Sequence, residues 1–253
     1  MKSTLYWIEC LTNLHVGSGE ANFSVVDKEV EKDLTGLPII HASGIKGALR
    51  DEYARTHDAD AVRSVFGDVG DGSADSGGTF RFLDAHMLFR PMRAAGGKSA
   101  SVKTTIVDAI RDYVETASAF YCGVFQMPAA DDLFPDPDLR YLCTDASVRV
   151  DGEKTGAVDG RFREILGDPT YALAREIDDC ELPVIARNNL GENRNLWYEE
   201  YVPHGSCFWF IVLTPDGCAA EDVIPDGKIL QIGGNASVGY GYCRFTKKGA
   251  GGF

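Results

Sequence analysis

An aspartate stands in an apolar setting, Val25-Val26-Asp27, close to a loop. A carboxylate so placed can ligate a divalent metal or accept a proton, or it can be an ordinary turn or capping acid. His15, just ahead of Gly17-Ser18-Gly19, carries a side chain suited to proton transfer near neutral pH; equally, it can close the turn those glycines begin. Glu199 and Glu200 are adjacent acids in Leu196-Trp-Tyr-Glu-Glu-Tyr-Val-Pro203. Neighbours on a strand point to opposite faces, so at most one of them joins a given site. The alternative is that both face solvent or form ion pairs.

Two further stretches suit phosphate. Gly233-Gly-Asn-Ala-Ser-Val-Gly-Tyr-Gly241 can aim backbone N–H groups at an anion. No Gly-Lys-Ser/Thr follows, which excludes a Walker loop, and no helix follows, which excludes a Rossmann fingerprint. A tight turn between strands is the competing reading. Asn235, Ser237 and Tyr240 add hydrogen-bonding groups and a ring, a mixture fitted to single-stranded RNA. The second stretch is Ser43-Gly-Ile-Lys-Gly-Ala-Leu-Arg50, a helix start with Ser43 as the expected N-cap. Gly44 and Gly47 leave room for a backbone to lie across it. Lys46 and Arg50, four apart, present cations on one face, or are simply solvated.

These groups need elements to hold them. Thr4–Leu11, Thr79–Phe89, Leu182–Arg187, Ser206–Leu213, Lys228–Ile232 and Tyr240–Thr246 read as strands. Gly44–Arg55 reads as a helix with Ile45, Leu49 and Tyr53 facing the core. Helical stretches are also expected at Ile106–Val114 and near Arg161–Leu166. Residues 67–78 are rich in Gly, Asp and Ser and read as a loop. The order suits one α+β domain spanning 1–253, with insertions at about 67–78, 91–118 and 128–180.

The chain has 253 residues, and 25 Lys+Arg against 38 Asp+Glu give a net charge of −13. A free-standing duplex binder should be basic, so any nucleic-acid role here needs a local groove. Arg81, Arg90, Arg93, Lys98, Lys103 and Arg111 outnumber Asp84 and Asp108 in one stretch, which fits such a groove or a solvated face. Seven cysteines include no C-x-x-C pair, which argues against a zinc module and for buried, reduced thiols. No apolar run approaches the ~20 residues that span a bilayer, and the N-terminus has no signal-peptide core. A cytoplasmic protein without a membrane partner is expected.

In order along the chain, Leu14-His-Val-Gly-Ser-Gly19, Val25–Arg50, Leu196–Pro203 and Leu230-Gln-Ile-Gly-Gly-Asn-Ala-Ser-Val-Gly-Tyr-Gly-Tyr242 resemble the RAMP superfamily. Within it they are most similar to backbone subunits of type III-B (Cmr) CRISPR effector complexes, and next to those of type III-A (Csm). The resemblance implies a ferredoxin-like, RRM-like palm with a thumb-type insertion. It implies copies stacked as a filament on CRISPR RNA, with other type III effector subunits, and target RNA cut at regular intervals with Mg2+ or Mn2+. Asp27 maps to the cleavage residue and metal ligand. His15, Glu199 or Glu200, and Tyr201 map to accessory positions, and Lys46 to a guide-backbone contact. Gly17, Ser18, Gly19, Ser43, Arg50, Gly233, Gly234, Asn235, Gly239 and Gly241 complete the expected RNA surface. The chain departs from the family pattern at Lys28-Glu-Val-Glu-Lys32, where proline and arginine are usual, and at His41-Ala-Ser-Gly44, where Pro-Gly-Ser is usual. A backbone subunit that binds guide RNA without cutting is the alternative, followed by a phosphate-binding small-molecule enzyme.

Overall fold

The runs Leu5-Tyr-Trp-Ile8 and Phe208-Trp-Phe-Ile-Val212 have no polar alternation, so strands built from them must be covered on both faces. The structure, a computed structural model, describes residues 1–19, 25–68, 77–94, 102–121, 142–144, 147–149, 171–174, 182–188 and 195–252. Its elements are β1 (Lys2–Cys10), β2 (Ile39–Ile40), α1 (Ala42–Tyr53), α2 (Ala59–Phe66), β3 (Arg81–Phe82), β4 (Ala85–Ala94), β5 (Val102–Ile106) and α3 (Val107–Tyr121). There follow β6 (Leu142–Thr144), β7 (Ser147–Arg149), β8 (Tyr171–Ala174), β9 (Val184–Asn188), β10 (Leu196–Glu200), β11 (Cys207–Thr214), β12 (Lys228–Gln231) and β13 (Tyr242–Gly252).

The main sheet runs β12-β13-β1-β11-β4-β5-β8. Its centre, β13-β1-β11-β4, is antiparallel throughout. This is the ferredoxin-like strand order, with α1 and α2 in the first crossover. The second crossover holds two 3-10 turns, at Ala220–Asp222 and Ala236–Val238, with β12 between them. Trp7 pairs with Trp209 and Tyr6 with Phe210, so the strands send alternate rings to opposite faces. Tyr6, Ile8, Phe210 and Phe245 pack with Ile45, Leu49, Val62 and Phe66 of α1 and α2. Leu5, Trp7, Trp209 and Ile211 pack with Ile110, Tyr113, Val114 and Ala117 of α3. Tyr113 lies edge-on to Trp7 at 6.3 Å and to Trp209 at 5.4 Å, and burial pushes its phenol up to about 12. Residues 102–118, read as part of an insertion, thus supply β5 and most of the helix that closes the second core. Neither central sheet face is left open as an RNA platform.

Two sequence expectations need correction. Thr79–Phe89 is not one strand: β3 and β4 both pair with β11, but the register slips by one residue between Phe82↔Val212 and His86↔Trp209. Leu83 and Asp84 occupy the break. Ser43 is not the N-cap of α1; it lies inside the helix and is exposed. His41 holds the cap position without a side-chain bond, and Asp84 Oδ1 instead accepts from the Ala42 N–H at 2.6 Å. The broken strand therefore places a surrogate cap. Asp84→Ala should lower stability by about 1 kcal/mol, read as a fall in thermal midpoint, while Ser43→Ala should leave it unchanged. Of the basic stretch, Lys98 and the side chains of Arg93 and Lys103 lie outside the described residues. Arg90 is buried, and Arg111 pairs with Asp108 at 2.7 Å.

Residues 69–76, the helix expected near 161–166, and most of 128–180 lie outside the described residues. Cys10, Cys207 and Cys243 are buried thiols, and Cys218 is a half-buried one. Among the described residues no helix is long and apolar enough to cross a membrane.

Candidate functional site

After β1 the chain turns at 11–13 and is then stitched to distant segments. Leu14 exchanges both backbone hydrogen bonds with Val202, at 2.9 and 2.8 Å, and Glu31 donates its N–H to Val16 at 2.8 Å. This holds His15 in a buried position. Its Nδ1 is 2.8 Å from the Glu200 carbonyl oxygen, a partner that can only accept. Nδ1 therefore carries a proton. Nε2 is turned toward Gly17, where an added Cβ would stand 3.0 Å from it. Glycine keeps that face of the ring clear.

Asp27 is exposed on the segment that runs alongside β10. Its Oδ2 accepts from the Tyr198 N–H at 2.7 Å, and its own N–H donates to the Tyr198 carbonyl at 3.0 Å. Oδ1 has no partner among the described residues. Lys28 is also exposed, with Nζ 5.1 Å from the centre of the Trp197 ring. His15, Gly17, Ser18, Gly19, Asp27, Lys28 and Glu29 line one cavity of about 300 Å³. The imidazole and the aspartate singled out in the sequence thus open onto the same space.

β9 and β10 form a separate two-stranded sheet in which Arg187 faces Trp197 and Ile185 faces Glu199. Both glutamates are buried, and they do point apart. Glu200 accepts from the Val30 N–H at 3.1 Å and from Lys32 at 3.3 Å. Glu199 faces His15 and Arg187: its Oε1 is 3.9 Å from His15 Nδ1, and its Oε2 is 3.4 Å from Arg187 Nε. Tyr201 is half-buried, its ring edge-on to Tyr240 at 6.0 Å.

The glycine-rich turn packs directly on the His15 backbone. Gly234 donates its N–H to the His15 carbonyl at 2.9 Å. Gly233 has φ +75°, and an added Cβ would overlap that same carbonyl. Gly233→Ala should therefore destabilise the fold by about 1–3 kcal/mol. Gly239→Ala, at φ +82° with nothing within 4 Å, should cost about 1 kcal/mol; thermal melts of the two variants make the comparison. Gly241, at φ +83°, is likewise closed to a side chain by the Ile232 carbonyl. Asn235 turns inward, its Nδ2 donating to Glu199 Oε1.

On α1, Gly44 and Gly47 are exposed with no atom within 4 Å of an added Cβ. Each costs a helix roughly 1 kcal/mol against alanine, and nothing inside the fold requires them. Arg50 donates to the Gly67 carbonyl at 3.1 Å, whereas Lys46 has no partner among the described residues. Gly44 and Gly233 line a second cleft, of about 470 Å³, with Asp51, Glu52, Gln231 and Tyr242. It joins the helix start to the glycine turn.

Among the described residues no group of three or more His, Cys, Asp or Glu could hold a metal. The Oδ1 of Asp27, without a partner among the described residues, is compatible with a magnesium that keeps its waters and takes further oxygens from a phosphate. Arg187 and Lys28 were not singled out as functional from sequence. The signal for Arg187 is a lone cation closing the apolar run Val184-Ile-Ala186; its partner depends on hairpin register.

Residues 7–244 match the RAMP superfamily model. The chain is 25% identical to the CRISPR system Cmr endoribonuclease Cmr4 of Pyrococcus furiosus, over 98% of this chain and 96% of that one. It is 32% identical to the CRISPR system CMR subunit Cmr4 of Saccharolobus solfataricus, over 93% of each. Its fold is similar to that of a chain in type III-B Cmr-beta bound to cognate target RNA, with TM-score 0.69 and 18% identity over 97% and 96% of the two chains. Oligomeric Cmr4 from Pyrococcus furiosus gives TM-score 0.65 and 22% identity over 98% of both. A ferredoxin-like sheet, a loop carrying His15 and Asp27, and end-to-end matches of this kind place the chain in the RAMP superfamily, among the Cmr4 subunits.

Proposed function

We propose that this chain is the repeating backbone subunit of a cytoplasmic type III-B ribonucleoprotein that binds CRISPR RNA and cuts the paired target RNA at regular intervals. One observation carries the reading: Asp27 and His15 line a single cavity in a chain that aligns from end to end with a relative named as an endoribonuclease. RNA supplies its own nucleophile. The 2′-OH loses its proton, its oxygen bonds to the adjacent phosphorus, and the P–O5′ bond breaks. The products are a 2′,3′-cyclic phosphate and a 5′-hydroxyl that takes up a proton. Asp27 Oδ1 would accept the first proton or hold a divalent metal. Such a metal would stabilise charge on the phosphate oxygens. Lys28, exposed beside Asp27, is a cation that can steady the phosphorane. The glycine turn and the bare start of α1 offer backbone rather than base-reading groups, which fits RNA held without regard to sequence.

A second reading has one observation behind it. Asp27 Oδ2 caps the Tyr198 N–H, as a purely structural aspartate would, and a subunit of that kind binds guide and target without cutting. The complex reconstituted with CRISPR RNA and complementary target in Mg2+ decides between them. The expected products are fragments at regular spacing that end in cyclic phosphate, lost on chelation and restored by Mg2+ or Mn2+. Intact target in a complex that binds both RNAs supports the structural reading. Failure to bind either RNA overturns both.

A further inference from the structure

Asn235 is the one non-glycine residue with positive φ among the described residues, at 62°. It follows Gly233 and Gly234 in a turn where glycine would meet the backbone requirement without strain. Its side chain explains the asparagine. Nδ2 donates to Oε1 of Glu199, a carboxylate with no exposure at all.

A carboxylate so buried needs a cation and well-aimed donors. Arg187 Nε lies 3.4 Å from Oε2. Yet Nε and Nη2 are buried and make no aligned hydrogen bond, so arginine supplies charge rather than direction. The Trp197 indole reaches Oε2 only at 3.5 Å. The close, directional donor is the Asn235 amide, and it holds Oε1, the oxygen that lies 3.9 Å from His15 Nδ1. The parts lock together. Arg187 lies over the Tyr240 ring at 5.0 Å, and the Tyr240 N–H donates to the Asn235 carbonyl at 3.2 Å.

We propose that Asn235 is a positioning residue for RNA cleavage: with Arg187 it clamps the buried Glu199 carboxylate, which sets the His15 ring against the cavity. It does so without touching RNA. Sequence reading had placed Asn235 on the RNA surface; the inward amide argues for this different role. The proposal rests on the reading that RNA is cut in the cavity shared by His15 and Asp27.

The test uses the reconstituted ribonucleoprotein with Asn235→Gly, Asn235→Asp and Asp27→Ala beside wild type. Target affinity, cleavage rate at saturating target, and thermal midpoint are measured for each, with rates followed across pH. Asn235→Gly keeps the left-handed backbone and loses the amide. It should melt near wild type, bind target within about twofold, and cut at least about 10-fold slower. Asn235→Asp sets a second carboxylate against Glu199, and the pair then retains a proton only as pH falls. A protonated carboxyl can donate where the amide did. Its rate should therefore recover toward wild type as pH falls, and that of Asn235→Gly should not.

The proposal is overturned if Asn235→Gly cuts at the wild-type rate, or if it loses target affinity with its rate intact, which would make Asn235 an RNA contact. It is also overturned if both variants melt early and share one pH profile, which would make the role structural. In those cases Asp27→Ala still separates cutting from binding, and the cleavage reading stands. A wild-type complex that binds target and leaves it whole overturns the cleavage reading, and this proposal with it.

Discussion

A complex assembled with Asp27→Ala should hold guide and target as wild type does and cut at least about 10³-fold more slowly. The expectation of intact binding comes from exposure. Asp27 stands at the surface, and among the described residues its carboxylate accepts only from the Tyr198 N–H, at 2.7 Å. Without the carboxylate that amide meets water, so the fold should lose no more than about 1 kcal/mol. Asp27→Asn sharpens the point. Its side-chain oxygen can still accept from Tyr198, but it carries no charge and is no base. If Asp27→Asn cuts like wild type, Asp27 is a cap and the proton or metal role falls. If both variants bind and neither cuts, the charge is what matters. Gel shift of labelled target and single-turnover cleavage give the two numbers needed.

The largest stability effect is expected at Glu199. Glu199→Ala leaves the Arg187 guanidinium facing a cavity without its counter-charge, which costs about 3–5 kcal/mol when the partner charge stays buried. The Arg187 side chain is 20% exposed, which favours the lower end. Glu200→Ala should cost less, about 1–3 kcal/mol, because Lys32 can turn to solvent and only the Val30 N–H is stranded. Replacing both Glu199 and Arg187 by methionine should recover most of the stability lost in Glu199→Ala, since an apolar pair leaves no stranded charge. Cleavage should stay low in the double variant, because the His15 ring then keeps its bond to the Glu200 carbonyl but loses the carboxylate beside it. Denaturant titration at fixed pH measures the first effect. A double variant no more stable than Glu199→Ala would show that the pair is not what the buried carboxylate contributes.

Periodicity explains which parts were readable. β1, β11, β12 and β13 sit close to the expected runs because aromatic and β-branched residues crowd there. α1 was marked by Ile45 and Leu49, both fully buried. Its cap was misread because the capping carboxylate, Asp84, is distant in sequence and no local pattern announces it. α3 carries Ile110, Tyr113, Val114 and Ala117 at helical spacing, all buried; its start at Val107 falls within one residue of the expected Ile106, whereas the helix continues past the expected Val114 to Tyr121. In the site, alternation separated Glu199 from Glu200 without telling which faces His15. That choice depends on how the β9–β10 hairpin docks. The role of Arg187 depends on hairpin register, and the inward turn of Asn235 on a single left-handed residue between glycines. Asp27 and His15 entered as candidates on local context and resemblance; their common cavity is a fact of tertiary structure alone.

The stitching around His15 has a consequence for synthesis. Its ring is fixed by Glu200, 185 residues away in the chain, and its carbonyl by the turn at Gly234, which is made later still. A chain emerging from the ribosome has no such pocket until its final strands are out and folded. Premature termination anywhere before that turn yields a product without a formed centre. The subunit is in this sense self-certifying: only a finished copy carries the arrangement on which cutting would depend, so aborted copies that reach a transcript have nothing with which to damage it.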